Sequence, residues 1–159
     1  MPSPARRSPN DSPSKHRLRL WLRLLKLSRM IESEIRERMR AEHATTLPRF
    51  DVMAALYRAE QGLKMSELSG ALRVSNGNVT GIVDRLVADG QVVRAQVEGD
   101  RRAMLVRLTG KGREAFAAQA VQHERWIDTL LSDVTSGEAQ TLAASLRRIA
   151  DQIEQGAGS

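Results

Sequence analysis

Asn76, Asn78 and Thr80 stand at alternate positions at the start of a segment whose apolar residues, Val79, Ile82, Val83 and Leu86, recur at helical spacing. A carboxamide offers a donor and an acceptor side by side, the pattern that pairs bidentately with adenine. Threonine adds a hydroxyl for base edges and a methyl that can touch thymine. Ser75 is placed to cap the same helix, and a helix N-terminus favours a phosphate. Further along, Asp100-Arg101-Arg102 follows Glu98-Gly99 in a turn between two short strand-like runs. Two guanidiniums at such a tip suit the minor groove of a duplex, where negative potential is concentrated. Asp100, two residues before Arg102, can brace it. Arg73 and Arg85 flank the helix and can meet phosphates. Taken alone, Asn and Thr at a helix start serve as caps and solvated turns, and Arg85 can pair with Asp84 or Asp89. The hairpin immediately downstream tips the reading toward nucleic acid.

A second group of donors, Arg36, Arg40, His43 and Arg49, gathers where two helical segments meet, with Phe50 beside it. It suits an anionic aromatic small molecule held between the first, second and fifth helices. Local ion pairs with Glu32 or Glu37 at helical spacing are the competing reading. Enzyme motifs are scarce. His123-Glu124 opens like a zinc-protease HExxH, but Ile127 occupies the second histidine position. Gly110-Lys111-Gly112 lacks the upstream glycine and the Ser/Thr of a phosphate-binding loop. His16, His43 and His123 have no ligand spacing. The expectation is a non-enzyme with no metal site and no cofactor.

The elements that must position these groups follow from periodicity. Residues 16–43 read as one long helix with two apolar stripes, Leu20, Leu24, Leu27, Ile31 and Ile35 on one and Leu18, Trp21, Leu22 and Leu25 on the other. Two stripes predict packing on both its own domain and a second subunit; a basic amphipathic helix on a membrane is the alternative. Thr46 and Pro48 open a second helix. Met65, Leu68 and Leu72 mark a third, and Gly90 stops the fourth. Val92-Val93 and Leu105-Val106 read as strands around Glu98-Gly99-Asp100. Thr109 caps a fifth helix, and Thr135 with Glu138 forms a capping box for a sixth built on Leu142, Leu146, Ile149 and Ile153.

The predicted fold is mainly α with a small β-hairpin wing: a winged helix-turn-helix flanked by N- and C-terminal dimerisation helices. Residues 1–14, with four of the five prolines, are expected to be a disordered tail. Residues 15–159 are expected to form one domain, with 15–45 and 112–155 as dimerisation helices and 46–111 as the winged-helix lobe. Aromatics are 3% of the chain and cysteine is absent, which suits aliphatic helix packing and excludes disulfides and thiolate metal sites. The net charge of +6 lies at the front: residues 1–49 hold 12 Lys+Arg against 5 Asp+Glu, residues 50–110 hold 8 against 7, and residues 111–159 hold 5 against 7. A basic balance admits nucleic acid or an anionic surface as partner.

The stretch Leu47-Pro48-Arg49-Phe50-Asp51-Val52-Met53 resembles the MarR family of bacterial transcription regulators. So do Met65-Ser66-Glu67-Leu68, Val79-Thr80 through Val83-Asp84-Arg85-Leu86 with Gly90, Asp100-Arg101-Arg102, and Leu108-Thr109-Gly110-Lys111-Gly112. The resemblance covers residues 17–155. It implies a homodimer in which the helix at 75–89 reads the major groove and Arg102 enters the minor groove. It also implies effectors bound between the dimerisation helices and the DNA-binding lobe. Many family members carry Arg just after the Val-Thr pair, where this chain has Gly81, so base contacts there do not carry over. The run from Ser75 to Gly81, with His123-Glu124-Arg125-Trp126, is similar to a subgroup that responds to hydroxycinnamoyl thioesters. The resemblance therefore implies a cytoplasmic, ligand-responsive regulator, a repressor on a palindromic double-stranded operator. A small aromatic effector such as p-coumaroyl-CoA or feruloyl-CoA would release it, and no membrane is involved. The alternative reading is a non-sequence-specific architectural DNA-binding protein.

Overall fold

The computed structural model describes residues 12–72 and 76–158. The chain divides into two compact units, Met1–His123 and Glu124–Ser159. The first unit runs α1 (Pro13–His43), α2 (Leu47–Arg58), β1 (Leu63–Lys64), α3 (Met65–Leu72), α4 (Asn76–Ala88), β2 (Val92–Val97), β3 (Asp100–Leu108) and the start of α5 (Gly110–Leu130); the second holds the end of α5 and α6 (Ser136–Ala157).

α1 begins earlier than the proline-rich composition suggested. Ser12 accepts from the Lys15 N–H as N-cap, and Pro13 stands in the first turn, where a missing N–H costs nothing. The expected tail at 1–14 thus ends at residue 12 or before, and residues 1–11 lie outside the described ones. α2 starts as its sequence required, with Thr46 capping the Arg49 N–H. Thr135 and Glu138 form the reciprocal capping box of α6.

The core of the first unit joins Ile35 and Met39 of α1 to Phe50, Val52, Met53 and Leu56 of α2, Leu68 of α3, Val79, Ile82, Val83 and Leu86 of α4, and Val92, Val106 and Leu108 of the sheet. The apolar stripes of α1 are a correction. The expected domain-facing stripe is buried at Ile35, while Leu20 and Leu27 stay exposed together with Leu18, Trp21 and Leu22. In the second unit Trp126 is buried, but α6 has no buried residue, and its row Leu142, Leu146, Ile149 and Ile153 faces solvent.

The wing is a three-stranded antiparallel sheet in the order β1-β3-β2, one strand more than the hairpin predicted. Leu63 pairs with Val106 and Lys64 with Leu105. Two residues are too few to show alternation, so this strand left no signal in the sequence. The β2–β3 register is constant from Val92↔Leu108 to Gln96↔Met104, then slips so that Val97 faces Asp100. Residues 101–103 lie between those two registered pairs, which places Arg101 and Arg102 in the irregular tip.

Where β3 hands over to α5, the chain crosses the end of α4 at very short range. The Thr109 N–H donates to the Gln91 carbonyl at 3.1 Å. Its hydroxyl donates to the Gly90 carbonyl at 2.7 Å and accepts from the Gly112 N–H at 3.0 Å. A Cβ at residue 112 would lie 1.9 Å from the Gln91 backbone oxygen, so only glycine fits. Gly112→Ala must push the two backbones apart and is expected to destabilise the protein by at least about 2 kcal/mol. Urea unfolding of the variant measures this; a loss below about 0.5 kcal/mol would show that the junction is loose.

Candidate nucleic-acid interface

The four apolar residues of α4 fix which face looks outward. With helical positions advancing by roughly 100° per residue, burying Val79, Ile82, Val83 and Leu86 leaves Thr80, Gly81, Asp84 and Arg85 exposed. Asn78 is exposed as well, at one margin of this face, and borders a hollow of about 120 Å³ shared with Pro48, Asp51, Val52, Leu72 and Ile82. Nothing stands within 4 Å of where a Cβ of Gly81 would lie, so the helix presents bare backbone there, open to close approach. Arg73 and Ser75, together with the side chain of Asn76, lie outside the described residues.

Arg85 does not take either of its neighbouring carboxylates. Asp84 pairs with Arg94 on β2 and Asp89 with Arg49 on α2, and Arg85 remains exposed. The Asp84–Arg94 pair ties the reading-helix candidate to the wing. The spacing of Asp89 and Arg49, forty positions apart, hid the other pair from any local reading of the sequence.

At the wing tip, Asp100, Arg101 and Arg102 are all exposed. The Asp100 carboxylate accepts from the backbone N–H of Arg102 at 3.0 Å. The brace expected from the sequence thus acts on the main chain, and the Arg102 guanidinium projects from a turn held at its base. The α4 face and the cationic tip are both exposed and belong to one compact unit.

The five residues expected to hold an effector are dispersed. Arg40 pairs with Glu37 on the surface of α1, and Arg36 is exposed on the same helix. The hydrogen bond and charge of Arg40 hold the Glu37 carboxyl below its usual range. His43 and Arg49 line a polar cleft of about 430 Å³ with Thr45, Asp89, Gln91, Lys111 and Gln119. Phe50 is buried against Phe116 and His123, with ring centroids 5.3 and 4.9 Å away. Phe116 also meets the Tyr57 ring at a tilt, with centroids 4.8 Å apart, and the Arg113 guanidinium lies 5.2 Å from the Tyr57 ring. Beside this cluster, partial burial is the largest influence on Asp51 and raises its carboxyl pKa, with the His123 charge opposing it. Nothing in the sequence singled out Tyr57, Arg113 or Gln119, because their partners come from distant elements.

The main-chain brace yields a direct check. Asp100→Ala should speed amide hydrogen exchange at Arg102 by roughly tenfold, the worth of one exposed hydrogen bond. Exchange measured by NMR should leave the α4 amides unaffected; an unchanged Arg102 rate would show that the carboxylate does not hold the tip.

The comparisons with known proteins agree with this geometry. The MarR family profile matches residues 45–104, the lobe from the Thr46 cap to the wing. A solved MarR family transcriptional regulator from Silicibacter pomeroyi is 34% identical over 92% of this chain and 99% of its own, with a TM-score of 0.74. The transcriptional activatory protein BadR of Rhodopseudomonas palustris is 29% identical over 86% of this chain and 79% of its own. A mutant of Escherichia coli MarR, solved in complex with operator DNA, is 23% identical with a TM-score of 0.73 over 87% of this chain and 99% of its own; that likeness speaks to the fold alone. The chain spans 60% to 63% of the length of several other curated relatives it matches. The matched relatives are transcription regulators and not enzymes. With its winged helix-turn-helix, its D-x-R wing tip and these relatives, the chain belongs to the MarR family of transcription regulators.

Proposed function

We propose that this regulator binds a palindromic double-stranded operator as a homodimer and acts as a ligand-responsive repressor in the cytoplasm. The observation that carries the reading is the pairing of the exposed α4 face with the slipped wing tip that carries Arg101 and Arg102. A helix of this kind fits the major groove and a cationic tip the adjacent minor groove. In this reading Thr80, Asn78 and the open backbone at Gly81 face base edges, and Arg73, Ser75 and Asn76 are further DNA contacts. Arg85 meets a phosphate. No helix among the described residues is long and apolar enough to cross a membrane. The exposed apolar rows of α1 and α6 suit a protein partner. A second copy supplies it in this reading, with residues 15–45 and 112–155 as the dimerisation helices.

The effector in this reading is an aryl-CoA thioester, p-coumaroyl-CoA or feruloyl-CoA. Support comes from the aromatic cluster of Phe50, Tyr57, Phe116 and His123, which offers ring stacking, and from the exposed Arg36 and Arg40, which offer cations to the phosphates. The effector must bind the conformation that cannot dock on DNA more tightly, since equal affinity for both states shifts nothing.

A gel-shift titration against the gene's own upstream DNA and against random DNA tests the reading. Arg102→Ala should cost operator binding about 1–3 kcal/mol with unfolding unchanged, and Asn78→Ala should relax base choice at one position. The thioesters should release the wild-type complex at concentrations where the free acids do not. Equal affinity for both DNAs, falling alike with salt, would replace this reading with an architectural one. Release by neither thioester would reject the effector assignment.

The dimer has its own check. Leu22, 53% exposed, and Leu146, 46% exposed, are expected to be covered in the dimer. Leu22→Glu or Leu146→Glu should therefore give monomers in sedimentation at micromolar concentration. A monomeric wild type would contradict the arrangement.

A further inference from the structure

The first half of α1 carries an electrostatic cost that its second half avoids. From Pro13 to Ile31 the helix has six cations, Lys15, Arg17, Arg19, Arg23, Lys26 and Arg29, and no carboxylate. Steps of roughly 100° per residue bring all of these but Arg17 within about 120° of arc. Neighbours along this row stand three or four positions apart, where like charges repel and destabilise a helix. Lys15, in the first turn, also opposes the helix dipole. Later in the same helix the charges are matched: Arg38 pairs with Glu34 at 2.8 Å and Arg40 with Glu37. Arg23, Lys26 and Arg29 are exposed and hold no carboxylate among the described residues. Repulsion left unmatched inside the chain is offset when an anion outside it meets the row.

Shape narrows the class of anion. Lys15 to Arg29 spans about 21 Å of helix axis, a line and not a pocket. A line of charges suits a linear polyanion, and duplex DNA carries one negative charge about every 3.4 Å along each strand. Three of the five groups in the row are guanidiniums, whose planar fork matches phosphate oxygens. Leu20, Trp21, Leu24 and Ile31 lie on the opposite side of the helix by the same geometry. In the proposed dimer the fold and the second copy cover that side, and the row is left outward. An anionic bilayer would instead need the apolar side. We propose that the row is a second, sequence-independent contact with the phosphate backbone of duplex DNA.

The inference rests on the proposed DNA-binding role and adds a surface that neither α4 nor the wing tip includes. Row, helix and tip belong to one compact unit. A contact of this kind adds affinity without adding choice. Each phosphate that a cation neutralises releases counterions and steepens the salt dependence for every sequence alike. The row thus raises affinity for operator and random DNA by the same factor and leaves their ratio to α4 and Arg102.

Fluorescence anisotropy of the full chain on a random-sequence duplex and on the gene's own upstream DNA, over a range of salt, tests the row. Arg23→Gln, Lys26→Gln and Arg29→Gln together should flatten the slope of log affinity against log salt by about 2.7 on both duplexes. Affinity for both should fall at least about tenfold at low salt, with their ratio unchanged. Arg23→Lys with Arg29→Lys should keep the slope. The triple variant should melt no lower than the wild type, because it removes repulsion, and should sediment as the same oligomer. A merely solvated face would give the melting result with the slope unchanged, and an unchanged slope overturns the proposal. So does a triple variant that no longer dimerises, which would assign the row to carboxylates of the second copy. So does one that loses phosphatidylglycerol vesicles while keeping its DNA slope, which would assign it to a bilayer. A flattened slope on random DNA without any preference for the upstream DNA in the wild type would remove the reading of α4 and leave the row intact. An unchanged slope with that preference retained would do the reverse.

Discussion

Between the α-carbon of Gly112 and the backbone of Gln91 there is room for a hydrogen atom and nothing larger. That contact sets where α5 starts relative to the end of α4, and the Thr109 hydroxyl holds it by bridging the Gly90 carbonyl and the Gly112 N–H. Asp89 adds side-chain and main-chain links to Arg49 and Lys111. One short stretch, residues 89–91, thus fixes the end of the helix offered to a groove, the first residue of the wing and the start of the next helix. The orientation of both elements proposed to face DNA depends on it. Small changes there reach the reading surface through covalent geometry, without a long chain of intermediates.

The same economy governs α1. Its later half supplies Ile35 and Met39 to the core of the first unit, while its earlier half leaves Leu18, Leu20, Trp21, Leu22 and Leu27 in solvent. An isolated chain would expose a long apolar strip, as would α6 with Leu142, Leu146, Ile149 and Ile153. Monomeric proteins rarely tolerate such patches.

Local devices were legible in the sequence because their partners lie within a turn. Thr46 and Pro48, the Thr135–Glu138 box, the apolar set of α4 and the Leu108-to-Gly112 run all stand where their spacing placed them. Arg40 pairs with Glu37, an ion pair that helical spacing allows. The long-range features were not legible. The two-residue strand β1 has no periodicity to detect. The register slip at Gln96/Val97 follows from how the tip closes. The Arg49–Asp89 pair and the burial of Gln119 arise only when four elements converge. For that reason the expected effector group, read as one cluster at the junction of two helices, separates into a surface pair, a polar cleft and an aromatic stack.

That α4 and the Arg101–Arg102 tip address adjoining grooves of a symmetric site is tested most directly by footprinting the wild type and Arg102→Ala on the same operator. Hydroxyl radicals report the minor groove and guanine N7 methylation the major groove. The expected pattern is two major-groove protections related by a two-fold axis and about one helical turn apart, each flanked by a minor-groove protection that disappears in the variant. A pattern without two-fold symmetry, or minor-groove protection that survives Arg102→Ala, would contradict it.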